Sequence, residues 1–193
     1  VGGVSVSTVT QARRNVGVAI DHVNRDKDDF YPTPERATKA LLDVEPFYGS
    51  IWEPACGDGA ISKVLESSGH CVVSTDLVDR GYGIAPVDFL QTSSLRGRTI
   101  VTNPPFKLAT QFMRHAWSLG PLKMAFLLRL SALEGKGRGQ FFDASPLARV
   151  WVFRSRLSIY RRGEVMKNSG VVAMAWLVWD RNHTGAPTIG WLP

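Results

Sequence analysis

The sequence predicts an α/β fold, a mostly parallel sheet with helices on both faces and an antiparallel pair of strands at its C-terminal edge. Three observations carry this expectation. Short β-branched or apolar runs alternate with stretches of helical period between residues 33 and 128, as in strands joined by crossover helices. The runs Ile51–Glu53, Thr99–Thr102 and Met124–Leu128 are short and apolar, which suits strands of a sheet covered on both faces. The last two runs, over 149–153 and 171–179, are joined without a helix, so they are expected to pair antiparallel.

The elements follow in order. Thr33 reads as an N-cap, with Pro34 at the first helical position and Glu35 in the first turn. Ala37, Ala40, Leu41 and Val44 then recur at helical spacing. Ile51–Glu53 is the first strand, Ala60–Ser67 a helix stopped by Gly69, and Cys71–Thr75 the second strand. Between Asp76 and Ile100 glycine and proline interrupt the chain, so elements there are short. Thr99–Thr102 is the third strand, and Pro104 and Pro105 must stop it because proline has no N–H for a ladder. Lys107–Ser118 is a helix and Met124–Leu128 a buried strand. Residues 1–29 lack a strong period and end in the charged cluster 25–29, which predicts an arm before a single domain over 30–193.

Composition narrows the function classes. The 193 residues are 44% apolar, enough for one domain with a sizeable core, and no apolar run reaches the length of a membrane span. No basic-then-apolar leader is visible, and Cys56 and Cys71 lack disulfide or ligand spacing, which together predict a cytoplasmic protein. Four scattered histidines offer no metal site. The net charge of +6 is uneven: residues 129–167 hold nine Lys/Arg against three acids and so carry the whole excess. A basic stretch is usually a solvated face, but an excess confined to one segment points to a polyanion partner.

Two motifs carry chemistry. EPACGDG (Glu53, Pro54, Ala55, Cys56, Gly57, Asp58, Gly59) lies between a strand and a helix, where glycines let the backbone turn tightly and approach a ligand. An ordinary strand–helix turn explains G-x-G equally well, and the spacing is not the full G-x-G-x-x-G of dinucleotide folds. Seventeen residues after Gly59, Asp76 ends the second strand, where doubly wound folds place a ribose-binding carboxylate. Asp88 and Phe89 further on could offer a carboxylate and a ring to an adenine. The sharper motif is TIVTNPPF. Asn103 follows a strand at the edge where open α/β sheets bind ligands, and its side-chain oxygen with a proline carbonyl could take both hydrogens of an exocyclic amine. Phe106 could stack on the base. A proline-terminated strand is the plain alternative.

On these motifs residues 29–106 resemble the class I S-adenosylmethionine-dependent methyltransferases, specifically the N6-adenine DNA methyltransferases. The stretch 29–34, with Phe30, Tyr31, Pro32 and Thr33, resembles the family's N-terminal cofactor motif. EPACGDG resembles its methionine-binding loop, Asp76 with Leu77 its ribose site, and Asn103, Pro104, Pro105 and Phe106 its catalytic motif. The segments 128–135 and 176–180 resemble the small phage and prophage adenine methylases. The resemblance implies S-adenosylmethionine as cofactor, DNA as partner, and direct transfer to a flipped or single-stranded adenine.

Two departures from the family qualify this expectation: the segment after Asp76 is too broken for a full strand–helix–strand unit, and the spacing of the motifs is short. Asn103 comes only 44 positions after Gly59 and 87 residues follow Phe106, which leaves no room for a separate target-recognition domain. A short or relaxed target is therefore expected, held by Arg129, Glu134, Lys136 and Arg138 after the fourth strand and by Arg154, Arg156, Arg161, Arg162 and Lys167 between the last two. A second subunit is a candidate source of further contacts. Arg149 reads instead as a residue solvating the edge hairpin. Cytosine C5 chemistry is disfavoured, since neither cysteine follows a proline. Methylation of RNA or of protein glutamine, and a non-catalytic binding relative, stay open as alternatives. The basic segment favours nucleic acid without separating DNA from RNA.

Overall fold

The computed structural model describes residues 30–157 and 172–193, and a seven-stranded sheet organises them. Four parallel strands form its first half: β1 (Ile51–Glu53) lies between β2 (Val72–Ser74) and β3 (Thr99–Thr102), and β3 pairs with β4 (Lys123–Arg129). β6 (Met174–Asp180) runs antiparallel to β4 on one side and to β5 (Leu147–Phe153) on the other. β7 (Thr188–Leu192) closes the sheet parallel to β5, in the order β2-β1-β3-β4-β6-β5-β7. From β1 the chain passes first to one side and then to the other, so a topological switch point falls between β1 and β3.

Alternation in the central strands feeds two cores. Val101, Ala125, Leu127, Trp176 and Val178 face α1 (Glu35–Leu42) and α2 (Ala60–Ser67). Ile100, Met124, Phe126, Leu128, Leu177 and Trp179 face α3 (Ala109–Ser118) and α4 (Lys136–Ala144). The buried indoles find partners: Trp52 Nε1 donates to Thr75 Oγ1 at 2.9 Å, Trp176 to the Ala37 carbonyl at 2.9 Å, and Trp179 to Ser145 Oγ at 3.0 Å.

The mostly parallel sheet covered on both faces is as expected, and α2 has the predicted bounds. Four expectations are corrected. The antiparallel pair is not at the edge, because β6 inserts between β4 and β5 and β7 forms the border. β7 is illegible as a strand: it is five residues long, follows Pro187 and contains Gly190. That glycine is required, since a Cβ there would lie 2.1 Å from the Trp151 ring. α4 falls in the stretch after the fourth strand for which no element was expected, because Gly137 and Gly139 weaken the helical signal that buried Phe141 overrides. Residues 107–108 belong to a 3-10 turn, and α3 starts only at Ala109. Thr33 is not the cap of α1; Pro34 holds that position without a side-chain bond. The segment 76–98 is as broken as expected, with a Thr75–Ile84 bridge and a 3-10 turn over Phe89–Gln91. The predicted arm over 1–29 lies outside the described residues, as does Val171 of the last predicted strand. Among the described residues no helix is long and apolar enough to cross a membrane.

The end of the sheet where β1–β4 begin is tied by charge. Glu45, 2% exposed, accepts from Lys123 Nζ at 3.1 Å, from Arg149 Nη2 at 3.0 Å and from Trp151 Nε1 at 2.8 Å. Asp180 accepts from Arg149 at 3.2 Å and lies 3.6 Å from Lys123. Arg149 is thus a structural tie at the sheet's far end rather than a solvating side chain. Burial pushes the Glu45 carboxyl up, but the bonds from Arg149, Trp151 and Lys123 outweigh it and hold the group below its ordinary value. Asp180 is also held low, by the Asn182 N–H and Arg149 against the opposing effect of burial.

Both carboxyls have lost protons that the unfolded chain still binds near pH 4, so the stability they contribute is present above that range and lost as pH falls through their lowered values. Glu45→Gln is expected to cost about 3 kcal/mol at pH 7, because Lys123 and Arg149 lose their shared partner. It should also flatten the acid limb of stability. Urea denaturation of both proteins at pH 7 and pH 3 checks this, and equal midpoints would remove the network from the stability account.

Candidate active site

Because β1–β4 are parallel, the residues that end them share one edge of the sheet: Glu53 on β1, Thr75 and Asp76 just after β2, Asn103 after β3, and Arg129 on β4. A cavity of about 350 Å³ opens there, at the switch point. Its walls include the predicted Phe30, Tyr31, Pro32 and Thr33 on one side and Asn103 to Phe106 on another. Glu53 to Cys56 with Asp58 form its floor, and Asp76, Leu77, Asp88 and Phe89 line its far end. Predicted residues from five separate segments therefore meet in one space.

The glycines of EPACGDG act through conformation rather than as walls. Gly57 and Gly59 have φ of +56° and +82°, the left-handed region, and a Cβ on Gly57 would lie 2.2 Å from the Phe30 ring. Asp76 holds this loop: its Oδ2 accepts from Gly57 N at 2.8 Å and its Oδ1 from Val78 N at 2.9 Å. Each oxygen keeps a second lone pair. Asp88 caps the following 3-10 turn by accepting from Leu90 N at 3.0 Å. Phe89 is 2% exposed and packs on Trp52, Phe112 and His115, so it is a core residue with one side on the cavity.

Glu53 is 1% exposed, bonded to Ser62 Oγ, which in turn lies 2.6 Å from Ser74 Oγ. Burial pushes its carboxyl well above the ordinary carboxylate range; the Ser62 bonds oppose this, and nearby Asp76 and Asp58 push further up. Asp58 Oδ1 is buried without a hydrogen-bond partner. The head of β1 thus gathers three carboxyls in a chain of net charge +6. The arrangement favours a cationic ligand group. Burial, aided by Glu53 and Asp76, pushes the Cys56 thiol up to about 12, so it is not a nucleophile near neutral pH.

Asn103 has the geometry of an acceptor. Its Nδ2 donates to Thr33 Oγ1 at 3.0 Å and points at the Tyr31 carbonyl 3.5 Å away, while its Oδ1 is buried without a partner. Phe106 stacks towards Tyr31 with ring centroids 6.0 Å apart and planes 27° apart, and the Arg129 guanidinium sits 4.8 Å from its centroid. Pro105 gives its carbonyl to Leu108 N at 2.9 Å.

The predicted basic contacts separate on inspection. Arg129 stands against the cavity through Phe106. Glu134 and Lys136 are exposed beyond it, whereas Arg138 in the first turn of α4 turns its guanidinium onto the carbonyls of Ser131 and Glu134 before that helix. Arg154 and Arg156 are exposed after β5, where Arg36 bonds Ser155 Oγ at 2.9 Å and the Arg156 carbonyl at 2.7 Å. Arg161, Arg162 and Lys167 lie outside the described residues. Sequence reasoning missed Val78, Arg80, Val87, Lys107 and Phe112 on the cavity wall. Arg80, 4.2 Å from the Phe30 centroid, carried no local signal; Val87 and Phe112 flank or face the Asp88–Phe89 pair and were findable only as neighbours of it.

No protein-family model and no curated protein sequence matches the chain. Solved structures do. One is a modification subunit described as part of a type I restriction enzyme from Vibrio vulnificus, 15% identical with a TM-score of 0.58, over 82% of this chain and 45% of that one. Another is a protein from Pyrococcus horikoshii described as an RNA methyltransferase, 14% identical with a TM-score of 0.58, over 78% and 86%. A third is a protein from Listeria monocytogenes described as a class I S-adenosylmethionine-dependent methyltransferase, 12% identical with a TM-score of 0.53, over 81% and 62%. The chain spans less than half the length of the modification subunit. At such identities the likeness is one of fold, and the fold is that of the class I methyltransferases.

A raised carboxyl pKa makes Glu53 a local cost: above the ordinary Glu value near 4.3 the unfolded chain releases a proton that the native carboxyl retains, so stability falls as pH rises through this window. Glu53→Gln, which keeps an acceptor for Ser62, should therefore raise the melting temperature at pH 7 without added ligand. A lower melting temperature, measured by calorimetry, would show that the carboxylate is stabilised rather than strained.

Proposed function

We propose that the chain is an S-adenosylmethionine-dependent methyltransferase acting on the exocyclic N6 amino group of adenine in DNA. The observation that carries this reading is the Asn103 amide, whose nitrogen is engaged by protein while its oxygen is buried, unpartnered and at the cavity. A buried acceptor left open in this way suits a donor brought by the substrate.

The rest of the cavity fits the cofactor. Glu53, Asp58 and Asp76 suit a ligand with cationic amino and sulfonium groups and a ribose diol. The open Asp58 Oδ1 and the second lone pairs on Asp76 are available acceptors. Val87 and Phe89 offer apolar wall to an adenine ring. Bound there, S-adenosylmethionine would supply an electrophilic methyl group. The chain's own residues then have to orient the amine. Asn103 Oδ1 and a proline carbonyl accept its two N–H bonds, which turns the nitrogen lone pair out of conjugation with the ring. Pro105 already accepts from Leu108 N and keeps one lone pair, so Pro104, directly after Asn103, is the proline we assign to this role. Phe106 stacks on the base, and proximity replaces any covalent protein intermediate. An adenine inside a duplex cannot present N6 to the cavity, so the base comes flipped or from single-stranded DNA. Arg129, with the exposed cations beyond β4 and β5, is placed to hold phosphates near the site.

Asp76→Ala should weaken S-adenosylmethionine binding by about ten- to a hundredfold, the loss expected for charge-assisted hydrogen bonds worth about 1.5–3 kcal/mol. Unchanged affinity by titration calorimetry would reject the ribose assignment. Asn103→Ala should bind the cofactor normally while turnover collapses. Phe106→Ala should lose less, with stacking worth about 1–3 kcal/mol per base. Wild-type turnover by Asn103→Ala on adenine-containing oligonucleotides would overturn the catalytic reading.

A further inference from the structure

We propose that Thr33 is a positioning residue whose hydroxyl locks the Asn103 amide, so that the cavity meets its oxygen rather than its nitrogen and selects a hydrogen-bond donor. The inference rests on reading Asn103 as the acceptor of the substrate amine. It begins from the mismatch at the start of α1. A Thr-Pro-Glu sequence usually places the hydroxyl on the first turn of the helix. Here the cap is Pro34 and Thr33, 6% exposed, sends its hydroxyl 70 residues along the chain to Asn103.

A hydroxyl can donate or accept, so Thr33 by itself would tolerate either orientation of the amide. The Tyr31 carbonyl breaks the tie. It lies 3.5 Å from Asn103 Nδ2 and can only accept, so turning the amide over would set two oxygens against each other. With the carbonyl deciding the direction and the hydroxyl holding it at 3.0 Å, Oδ1 is left open at the cavity. The same short segment carries the Tyr31 ring that stacks towards Phe106. Residues 31–33 therefore set both the polarity and the aromatic side of the substrate pocket. An amine at that point donates into the site; a carbonyl in its place meets Oδ1 with like charge. The site should prefer adenine to hypoxanthine, which differs in having an oxygen where the amine stood.

The test compares wild type, Thr33→Val, which keeps the shape and removes the hydroxyl, and Thr33→Ser, which restores it. Four quantities are measured: the side-chain amide resonances of Asn103, identified by their loss in Asn103→Ala; S-adenosylmethionine affinity; kcat on single-stranded DNA containing adenine; and the affinity for that DNA against one with hypoxanthine in place of adenine. The expected result is that Thr33→Val shifts the Asn103 amide resonances and lowers kcat about ten- to a hundredfold at saturating S-adenosylmethionine, its measured affinity setting the concentration that saturates. It should also narrow the preference for binding adenine over hypoxanthine, and Thr33→Ser should recover all three. Backbone amide resonances dispersed as in wild type show that the variant is folded. Unchanged amide resonances with wild-type kcat in Thr33→Val would overturn the inference. A wild type that transfers nothing to adenine, while its Asn103 resonances still depend on Thr33, would support the lock and reject the adenine reading.

Discussion

A strand buried on both faces can carry polar side chains only at its ends, and this constraint arranges the whole molecule. β3, β4 and β6 alternate large apolar residues into two cores, with no side of the sheet left for charge. Polar residues therefore collect at the two edges, and the edges are used differently. Where β4 begins, Glu45, Lys123, Arg149 and Asp180 neutralise one another in a closed network. Where β1–β4 end, polar groups are left with capacity. Glu53 is buried against its own preference for water, and Asp58 Oδ1 and Asn103 Oδ1 are buried without partners. At one end the charges are satisfied by the protein. The other is arranged for something the protein must bind.

The charge distribution points the same way. A basic chain has no general reason to gather Glu53, Asp58 and Asp76 at the head of one loop, where Asp76 and Asp58 add to the rise that burial gives the Glu53 pKa. A cationic ligand would offset that rise, and a polyanion would not, so the acidic floor and the basic surface suit different molecules. The proposed assignment divides them accordingly, with the cofactor over EPACGDG and nucleic acid towards Arg129 and the exposed cations beyond β4 and β5. Phe106, between the Tyr31 ring and the Arg129 guanidinium, stands where the two would meet.

How much of this was legible in the sequence depends on how far each interaction reaches along the chain. The strand–turn–helix around EPACGDG, and α2 with its bounds, follow from residues within one short window. So does the placing of Asn103 beyond β3, because two prolines force the strand to stop. The Thr33 bond spans 70 residues and the Arg149–Glu45 bond 104, and neither leaves a local trace. Thr33 was misread because its local pattern and its tertiary partner compete for one hydroxyl, and the partner wins. β7 was missed for the opposite reason. Its local signal is weak, with Pro187 before it and Gly190 inside, and the Trp151 ring that makes the glycine necessary lies on another strand. Among the predicted cations, like charge concealed unlike roles: Arg149 ties the far end of the sheet, Arg138 ties the start of α4 to the turn before it, and Arg129 stands over Phe106.

The central claim is that the open acceptor at Asn103 is there for the amine of adenine in DNA. The most direct measurement is transfer of a labelled methyl group from S-adenosylmethionine to single-stranded DNA, to RNA of the same sequence and to protein, followed by nucleoside and amino-acid analysis of the product. The account predicts label in DNA, as N6-methyladenine. Label confined to RNA or to glutamine, or DNA labelled on a carbon or oxygen atom, would contradict it.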